Sequence, residues 1–320
     1  MKTQVKSVTD VIEYLKKIPI EENPYILHPK YYYRGHSDTK YLLTPSIKRD
    51  GFSIALERRL IELARNKLPS VFRDTDKLSL LAKMQHYGLP TRLIDVTLNP
   101  LVALYFACQN EETDGEILIF ENYMDISGKV RSFSTELIKI RDTTDPNDRF
   151  EQLRCYDSTF VKELILNLIE IVPRNGIFVE DLRKQIVNYT WFQDWEKKFF
   201  YEFHNLNEQY QIIANLLRSP IFVETQETLE RQRFQQGLFM LTPNRVSVNE
   251  QGKYIILQEI PYLDVENSNI GHIIIKADDK KSILKELNLI GINEGFLFGD
   301  NIDCICRQIR RSLYEFYDNT

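Results

Sequence analysis

The 320-residue sequence has few of the residues that mark specialised classes of protein. Its four cysteines (Cys108, Cys155, Cys304 and Cys306) are too few and too scattered to form a disulfide framework. The closely spaced pair near the C-terminal end has no second pair of ligands, which argues against a zinc site. We therefore expect no metal site and a reducing compartment.

Long apolar runs and an excess of basic charge are also missing. No apolar stretch approaches the roughly 20 residues that a membrane-spanning helix needs, and residues 1–6 lack the apolar core of a signal peptide. The formal net charge of -5 gives no overall basic field that would attract nucleic acid. We expect a cytoplasmic protein with no membrane partner, and the net charge does not support nucleic acid as a partner.

The composition is that of an ordinary globular protein, with 43% hydrophobic and 27% charged residues. The patterns predict strands at 31–34, 92–96, 115–120, 234–241, 254–260 and 272–275, with an extended piece at 41–49 and a bend at Gly35. They predict helices at 77–87, 101–107, 160–171, 179–187, 195–217, 280–289 and 303–317. This order favours an α+β fold with a mixed or antiparallel sheet core. We divide the chain into an N-terminal part (1–145), a helical insertion (146–222) and a C-terminal part (223–320).

The densest group of polar residues lies between two predicted buried helices, around the strand at 92–96. Its members are Gln85, His86, Thr91, Arg92, Asp95, Thr97 and Asn99. Buried polar groups cost free energy unless they are paired or used. One interpretation is that they pair with each other, Arg92 with Asp95, and that Thr97 and Asn99 cap the next helix. The other is a small-molecule site at that helix N-terminus, where free N–H groups favour anions.

Four stretches carry recognisable motifs: Tyr33-Arg34-Gly35, residues 43–46, residues 85–95 and residues 99–107, with weaker ones at 233–239 and 291–298. Together they resemble one known family, the FRG domain, which is named for a Phe/Tyr-Arg-Gly motif. The members are mostly bacterial and phage proteins. The resemblance therefore implies a bacterial protein with a role in anti-phage (antiviral) defence.

A second resemblance concerns chemistry. Arg34-Gly35 after an early strand, then residues 95–97, then an apolar helix containing residues 103–107, is similar to the order of motifs in ADP-ribosyltransferases. That similarity implies an ADP-ribosyltransferase-like fold, NAD as the cofactor, and Arg34 as the residue that holds the dinucleotide. The family also uses a later glutamate, which stabilises the positive charge that develops on the ribose. Here Gln235 and Gln236 stand in its place, so Asp95 and Glu230 are the candidate acids.

The leading hypothesis is an ADP-ribosyltransferase-like toxin or NAD glycohydrolase that acts with a protein target or a regulatory partner. The candidate catalytic residues are Arg34, Asp95 and Gln236, the last facing the reacting ribose. The candidate cofactor-binding residues are Tyr33, Gly35, Gln85, His86, Arg92, Thr97 and Asn99. The alternatives are a non-catalytic nucleotide- or partner-binding module and a nuclease-like effector. An acid beside Arg34 would favour catalysis, and a glutamine alone would favour binding.

Overall fold

The computed structural model describes residues 2–18, 26–49, 51, 54–72, 76–125, 130–131, 158–199, 206–217, 220–225, 230–261, 263 and 271–299. The strands are β1 (Lys2–Val5), β2 (Ile26–His36), β3 (Leu93–Thr97), β4 (Gly115–Asp125), β5 (Val130–Arg131), β6 (Ile177–Phe178), β7 (Ile221–Val223), β8 (Gly237–Leu241), β9 (Val246–Val248), β10 (Tyr254–Ile256) and β11 (Gly271–Ile275). The helices are α1 (Val8–Lys16), α2 (Ser46–Arg49), α3 (Glu57–Lys67), α4 (Pro69–Phe72), α5 (Lys77–His86), α6 (Pro100–Ala107), α7 (Ser158–Ile171), α8 (Val179–Ile186), α9 (Thr190–Phe199), α10 (Leu206–Leu216), α11 (Glu230–Phe234), α12 (Ala277–Leu289) and α13 (Glu294–Phe298).

The main sheet has the strand order β1-β11-β4-β2-β3-β8-β7, with β5 paired beside β4. β1 runs parallel to β11, and the remaining neighbours are antiparallel. A smaller sheet has the order β6-β10-β9. The predicted α+β class with a mixed sheet is confirmed. None of the helices described above combines the length and the apolarity needed to cross a bilayer.

The mid-chain helices share a core with one end of the main sheet. Phe160 of α7 stacks on Trp195 of α9 with ring centroids 4.2 Å apart. Both side chains belong to a hydrophobic cluster that also contains Leu93 of β3 and Leu241 of β8. Phe160, Phe192 and Trp195 are therefore core residues, whereas Tyr189 is exposed. The domain division stays a prediction, because its boundary at residue 146 lies outside the described residues.

Four local predictions need comment. β2 continues through Gly35 to His36 instead of ending at a bend. A Cβ atom on Gly35 would lie 1.9 Å from the carbonyl oxygen of Ala103, so this glycine lets α6 lie directly on the strand. Residues 46–49 form a helix instead of an extended piece, and the single helix predicted at 195–217 is instead the two helices α9 and α10. The predicted helix at 303–317 lies outside the described residues.

The turn around Gly88 follows the sequence closely. α5 is N-capped by Asp76, whose carboxylate accepts hydrogen bonds from two backbone N–H groups. Gly88, just past its end, has a φ of 82°, in the left-handed region that glycine tolerates. Asn99 caps α6 with Pro100 in its first turn. These local signals place β3 between two well-defined helix ends.

Candidate functional site

A cleft opens where β2 and β3 separate. The two strands pair only at Tyr33 and Thr97. Beyond that point Arg34 and His36 stay paired with β4, whereas β3 stays paired with β8. The cleft has a volume of about 300 Å³, at the lower end of the roughly 300–1,000 Å³ typical of small-molecule sites. The separation of two adjacent strands thus creates a site within the sheet.

The lining is aromatic and positively charged. Its aromatic members are Tyr33, Tyr41, Phe106 and Phe239. The charged members are Arg34, Arg49, Asp95 and Arg231. Three guanidinium groups against one carboxylate give the lining a net charge of +2, although the chain as a whole carries -5. The cleft is therefore suited to an anionic ligand.

Arg34 bridges the gap between the separated strands. Its Nε donates to Nε2 of His36 at 3.0 Å, and a terminal nitrogen donates to the backbone carbonyl of Asp95. A guanidinium group carries five N–H donors, so three have no partner among the described residues. Burial lowers the pKa of Arg34, and the Asp95 carboxylate opposes that shift. Arg34 remains a cation with donors to spare.

Arg34 is continued by a row of buried polar side chains, the His-Glu-His row (His36, Glu116 and His272). Nδ1 of His36 lies 2.9 Å from Oε1 of Glu116, and Nε2 of His272 lies 2.5 Å from Oε2. Because Arg34 donates to Nε2 of His36, the ring carries its proton on Nδ1 and is neutral. Burial lowers the pKa of His36, with the Glu116 hydrogen bond opposing it. Burial alone would raise the pKa of Glu116, but hydrogen bonds from His272 and His36 lower it overall.

The carboxylate of Asp95 is held at the cleft by a glutamine. Nε2 of Gln85 donates to Oδ1 of Asp95 at 2.8 Å, and Oε1 of the same amide accepts from Oγ1 of Thr91 at 2.6 Å. The other carboxylate oxygen, Oδ2, has no hydrogen-bond partner in the described part of the chain. Asp95 is exposed on the same cleft as Arg34. A carboxylate therefore lines the same cleft as the arginine.

Two further cleft residues, Arg49 and Arg231, escaped the sequence analysis. The Arg231 guanidinium lies 4.6 Å from the ring centroid of Phe298. Burial lowers the pKa of Arg231, and the nearby charge of Asp95 opposes this. The guanidinium group of neither arginine forms a hydrogen bond or an ion pair with the residues that the structure describes. Nothing in the sequence singles out either arginine, since neither stands in a recognised motif.

The structure brings only some of the predicted site residues together. Those that line the cleft are Tyr33, Arg34, Gly35, Asp95 and Thr97. Gln85 contacts the cleft through Asp95, and His86 is exposed outside the lining. The Asn99 side chain caps α6 by accepting from the backbone N–H of Leu101 at 3.0 Å.

The two glutamines before β8 have different positions. Gln236 is exposed, has a φ of 45° and is not part of the cleft lining, so its side chain is not beside Arg34. Gln235 lines the cleft, and its backbone carbonyl accepts from the hydroxyl of Thr97 at 2.6 Å. The side chain of Glu230 lies outside the described part of the structure. Among the acids considered from the sequence, Asp95 is thus the one that the structure places in the cleft.

Arg92 lies in the core and away from the cleft. It is fully buried, and it pairs with Glu57 through Nε and a terminal nitrogen at 2.6–3.0 Å. Its other terminal nitrogen donates to the carbonyl of Thr242 and the amide oxygen of Asn244. The predicted pairing with Asp95 is wrong, because residues three apart along extended chain point to opposite sides. Arg92 holds the sheet to α3.

The described residues contain no group of three or more His, Cys, Asp or Glu side chains placed to hold a metal ion. The molecule is thus an α+β protein with a cationic cleft at a split in its sheet. Residues 29–116 match the model of the FRG domain, so the chain contains an FRG domain. The resemblance read from the motifs is confirmed for that segment, and the stretches at 233–239 and 291–298 lie outside the match. No curated protein and no solved structure matches the chain.

Proposed function

We propose that the cleft binds NAD and that the protein is an ADP-ribosyltransferase-like enzyme or NAD glycohydrolase. The observation that carries the proposal is that Arg34, with three spare N–H donors, and Asp95, with a spare carboxylate oxygen, line one cleft. An arginine and a carboxylate at one site are the two charges that a dinucleotide and its reaction require.

Binding would use the cationic and aromatic character of the lining. The planar guanidinium of Arg34 matches the oxygen pair of a phosphate group. Tyr33, Tyr41 and Phe106 supply aromatic surface for the rings of the ligand. The hydrogen bonds that Arg34 makes to His36 and to the backbone of Asp95 fix its orientation before a ligand arrives.

The reaction breaks the bond between nicotinamide nitrogen and ribose C1′. The bonding electron pair leaves with nicotinamide, which becomes neutral, and positive charge develops on the ribose. The carboxylate of Asp95 stabilises that charge. Water then forms the new bond to C1′ and loses a proton, or a nucleophilic side chain of a protein target does so. Gln85 orients Asp95 for this role by holding Oδ1 at 2.8 Å.

A non-catalytic nucleotide-binding module is the second candidate, and one observation favours it. Gln235 lines the cleft. Its Nε2 donates to the carbonyl of Leu297 at 3.2 Å, which leaves a neutral amide oxygen that can hold a ribose hydroxyl without stabilising a cation. In that case Asp95 would serve as a hydrogen-bond acceptor, and no nicotinamide would be released.

The experiment is calorimetric titration of the purified protein with NAD, with nicotinamide release assayed on the same samples. Arg34→Ala should weaken NAD binding at least about tenfold, because charge-assisted hydrogen bonds are the strong ones. Asp95→Asn should retain binding and lose release. Arg174→Ala, an exposed arginine outside the cleft, is the control and should match the wild type.

The outcomes separate the candidates. Release that requires Asp95 supports the enzyme, and binding without release supports the module. Failure of the wild-type protein to bind NAD would rule out the enzyme and leave only a module for another ligand. The FRG resemblance extends the proposal to a bacterial anti-phage effector, for which expression in bacteria should deplete cellular NAD in an Asp95-dependent way.

A further inference from the structure

The two arginines that the reaction above does not use, Arg49 and Arg231, are the most informative unassigned groups. Both side chains are exposed and line the cleft, and neither guanidinium forms a hydrogen bond or an ion pair with the described residues. Guanidinium groups bind phosphate oxygens through strong charge-assisted hydrogen bonds, often two at a time. Two unpaired guanidinium groups on one small cleft therefore indicate the position of anionic groups on a ligand.

The two cations come to the cleft from different elements. Arg49 ends α2, which is held beside the start of β3 because the backbone N–H of Ile47 donates to the carbonyl of Thr91 at 3.1 Å. Arg231 stands on α11, with its guanidinium 4.6 Å from the ring centroid of Phe298. Arg34 reaches from β2 to the backbone carbonyl of Asp95 on β3. Three guanidinium groups from three different elements thus line one cleft.

We propose that Arg49 and Arg231 form a two-point clamp for a diphosphate bridge, each arginine contacting one of the two phosphates. The clamp rests on the proposed nucleotide site and defines its ligand class as diphosphate-linked nucleotides, in preference to monophosphates or nucleosides. Arg49 and Arg231 are specificity-determining residues in this arrangement. Arg34 lines the same cleft and adds N–H donors for the oxygens of a bridging diphosphate.

The chemistry of the ligand gives the test its discrimination. AMP has a second phosphate pKa near 6 and carries about two negative charges at pH 7.5. ADP-ribose carries a similar total, spread over two phosphates. If the arginines acted only by neutralising negative charge, loss of either one would therefore weaken the binding of AMP and of ADP-ribose by the same factor. A clamp makes ADP-ribose depend on both arginines and AMP on only one.

The experiment measures the Kd of ADP-ribose, AMP and inorganic pyrophosphate by calorimetry for the wild type, Arg49→Gln and Arg231→Gln. Arg233→Gln, on the same helix as Arg231 and outside the cleft lining, is the matched control. Each cleft substitution should raise the Kd of ADP-ribose and of pyrophosphate about tenfold. AMP should respond to only one of the two substitutions, and the control should change none of the three Kd values.

The results distinguish the clamp from the nucleotide site on which it rests. If Arg34→Ala abolishes ADP-ribose binding while both Gln variants keep it, the clamp is wrong and the nucleotide site stands. If both variants weaken the binding of AMP and of ADP-ribose by the same factor, the arginines act only through general electrostatic attraction, and the clamp is also wrong. If pyrophosphate binds through both arginines but no nucleotide binds, the clamp stands and the proposed function fails. If none of the three probes binds, both fail.

Discussion

Arg34 and Arg92 belong to the two motifs that define the FRG resemblance, yet the fold uses them in opposite ways. Arg92 is fully buried, and four of its five N–H donors are taken by Glu57, Thr242 and Asn244. Arg34 is half-buried on a cleft, with two donors taken and three spare. The difference teaches that membership of a motif does not make a polar residue functional. Unused hydrogen-bonding capacity at an accessible surface separates the two kinds.

The largest effect should come from breaking the buried pair. Glu57→Ala leaves the Arg92 charge buried without its carboxylate, which typically costs about 3–5 kcal/mol of the free energy of unfolding. Arg34→Ala, the cleft counterpart, should cost less, about 1–2 kcal/mol, since it removes charge-assisted hydrogen bonds at a half-exposed site and leaves no charge buried. Urea unfolding of the two variants measures the contrast. Equal losses would mean that Arg34 is as structural as Arg92.

The glycine that follows Arg34 sharpens the same comparison. Gly35→Ala would place a Cβ 1.9 Å from the carbonyl oxygen of Ala103, so α6 and β2 must move apart. We expect a loss of about 1–3 kcal/mol, the usual cost of overpacking, together with weaker NAD binding. Gly237→Ala is the control on the other wall, because its Cβ would meet nothing closer than 3.6 Å. Thermal unfolding measures the melting temperatures of both variants. Equal melting temperatures would contradict the packing argument.

What the sequence could predict follows the range of each interaction. The cap at Asn99, the left-handed Gly88 and the short strand β3 are set by neighbours within a few residues, and local patterns predicted them. The cleft was half predictable, since Arg34 and Asp95 stand in motifs. The partner of Arg92 was not, because Glu57 is brought to it only by the packing of α3.

Arg49 and Arg231 show the same limit at the cleft. They are important only because α2 and α11 bring them to the cleft, and no local sequence pattern predicts that these two helices lie there. Gln235 and Gln236 were indistinguishable in the sequence. The positive φ of Gln236 is part of the turn into β8, and Gln235 is the one of the two that lines the cleft.

The smallest effect concerns acid. The pKa of His36 is lowered below its ordinary 6.5 in the folded state, so the unfolded chain takes up that proton first, and stability falls as the pH drops below about 6.5. The lowered pKa of Glu116 adds a second loss below its ordinary 4.5, as the pH falls through the folded value.

Urea unfolding at pH 7.5 and pH 5.5 tests this for the wild type and His36→Asn. The variant should lose less stability on acidification than the wild type does. The pKa of His86 is also lowered, by burial and by Arg231, so His86→Asn is measured alongside. A wild-type pH dependence that persists in His36→Asn but disappears in His86→Asn would transfer the effect to the exposed histidine.

The order of strands in the sheet has a meaning for synthesis on the ribosome. β2 and β3 emerge early, but β3 gains its second neighbour only when β8 appears, and β1 gains its partner only with β11. At about 5–20 residues per second, translation from Asp95 to Phe239 takes on the order of ten seconds. During that interval β3 offers an unpaired edge of the kind that invites wrong partners. The segment that carries the FRG match therefore does not form the cleft by itself, because a nascent chain holds Arg34 and Asp95 well before it holds Arg231.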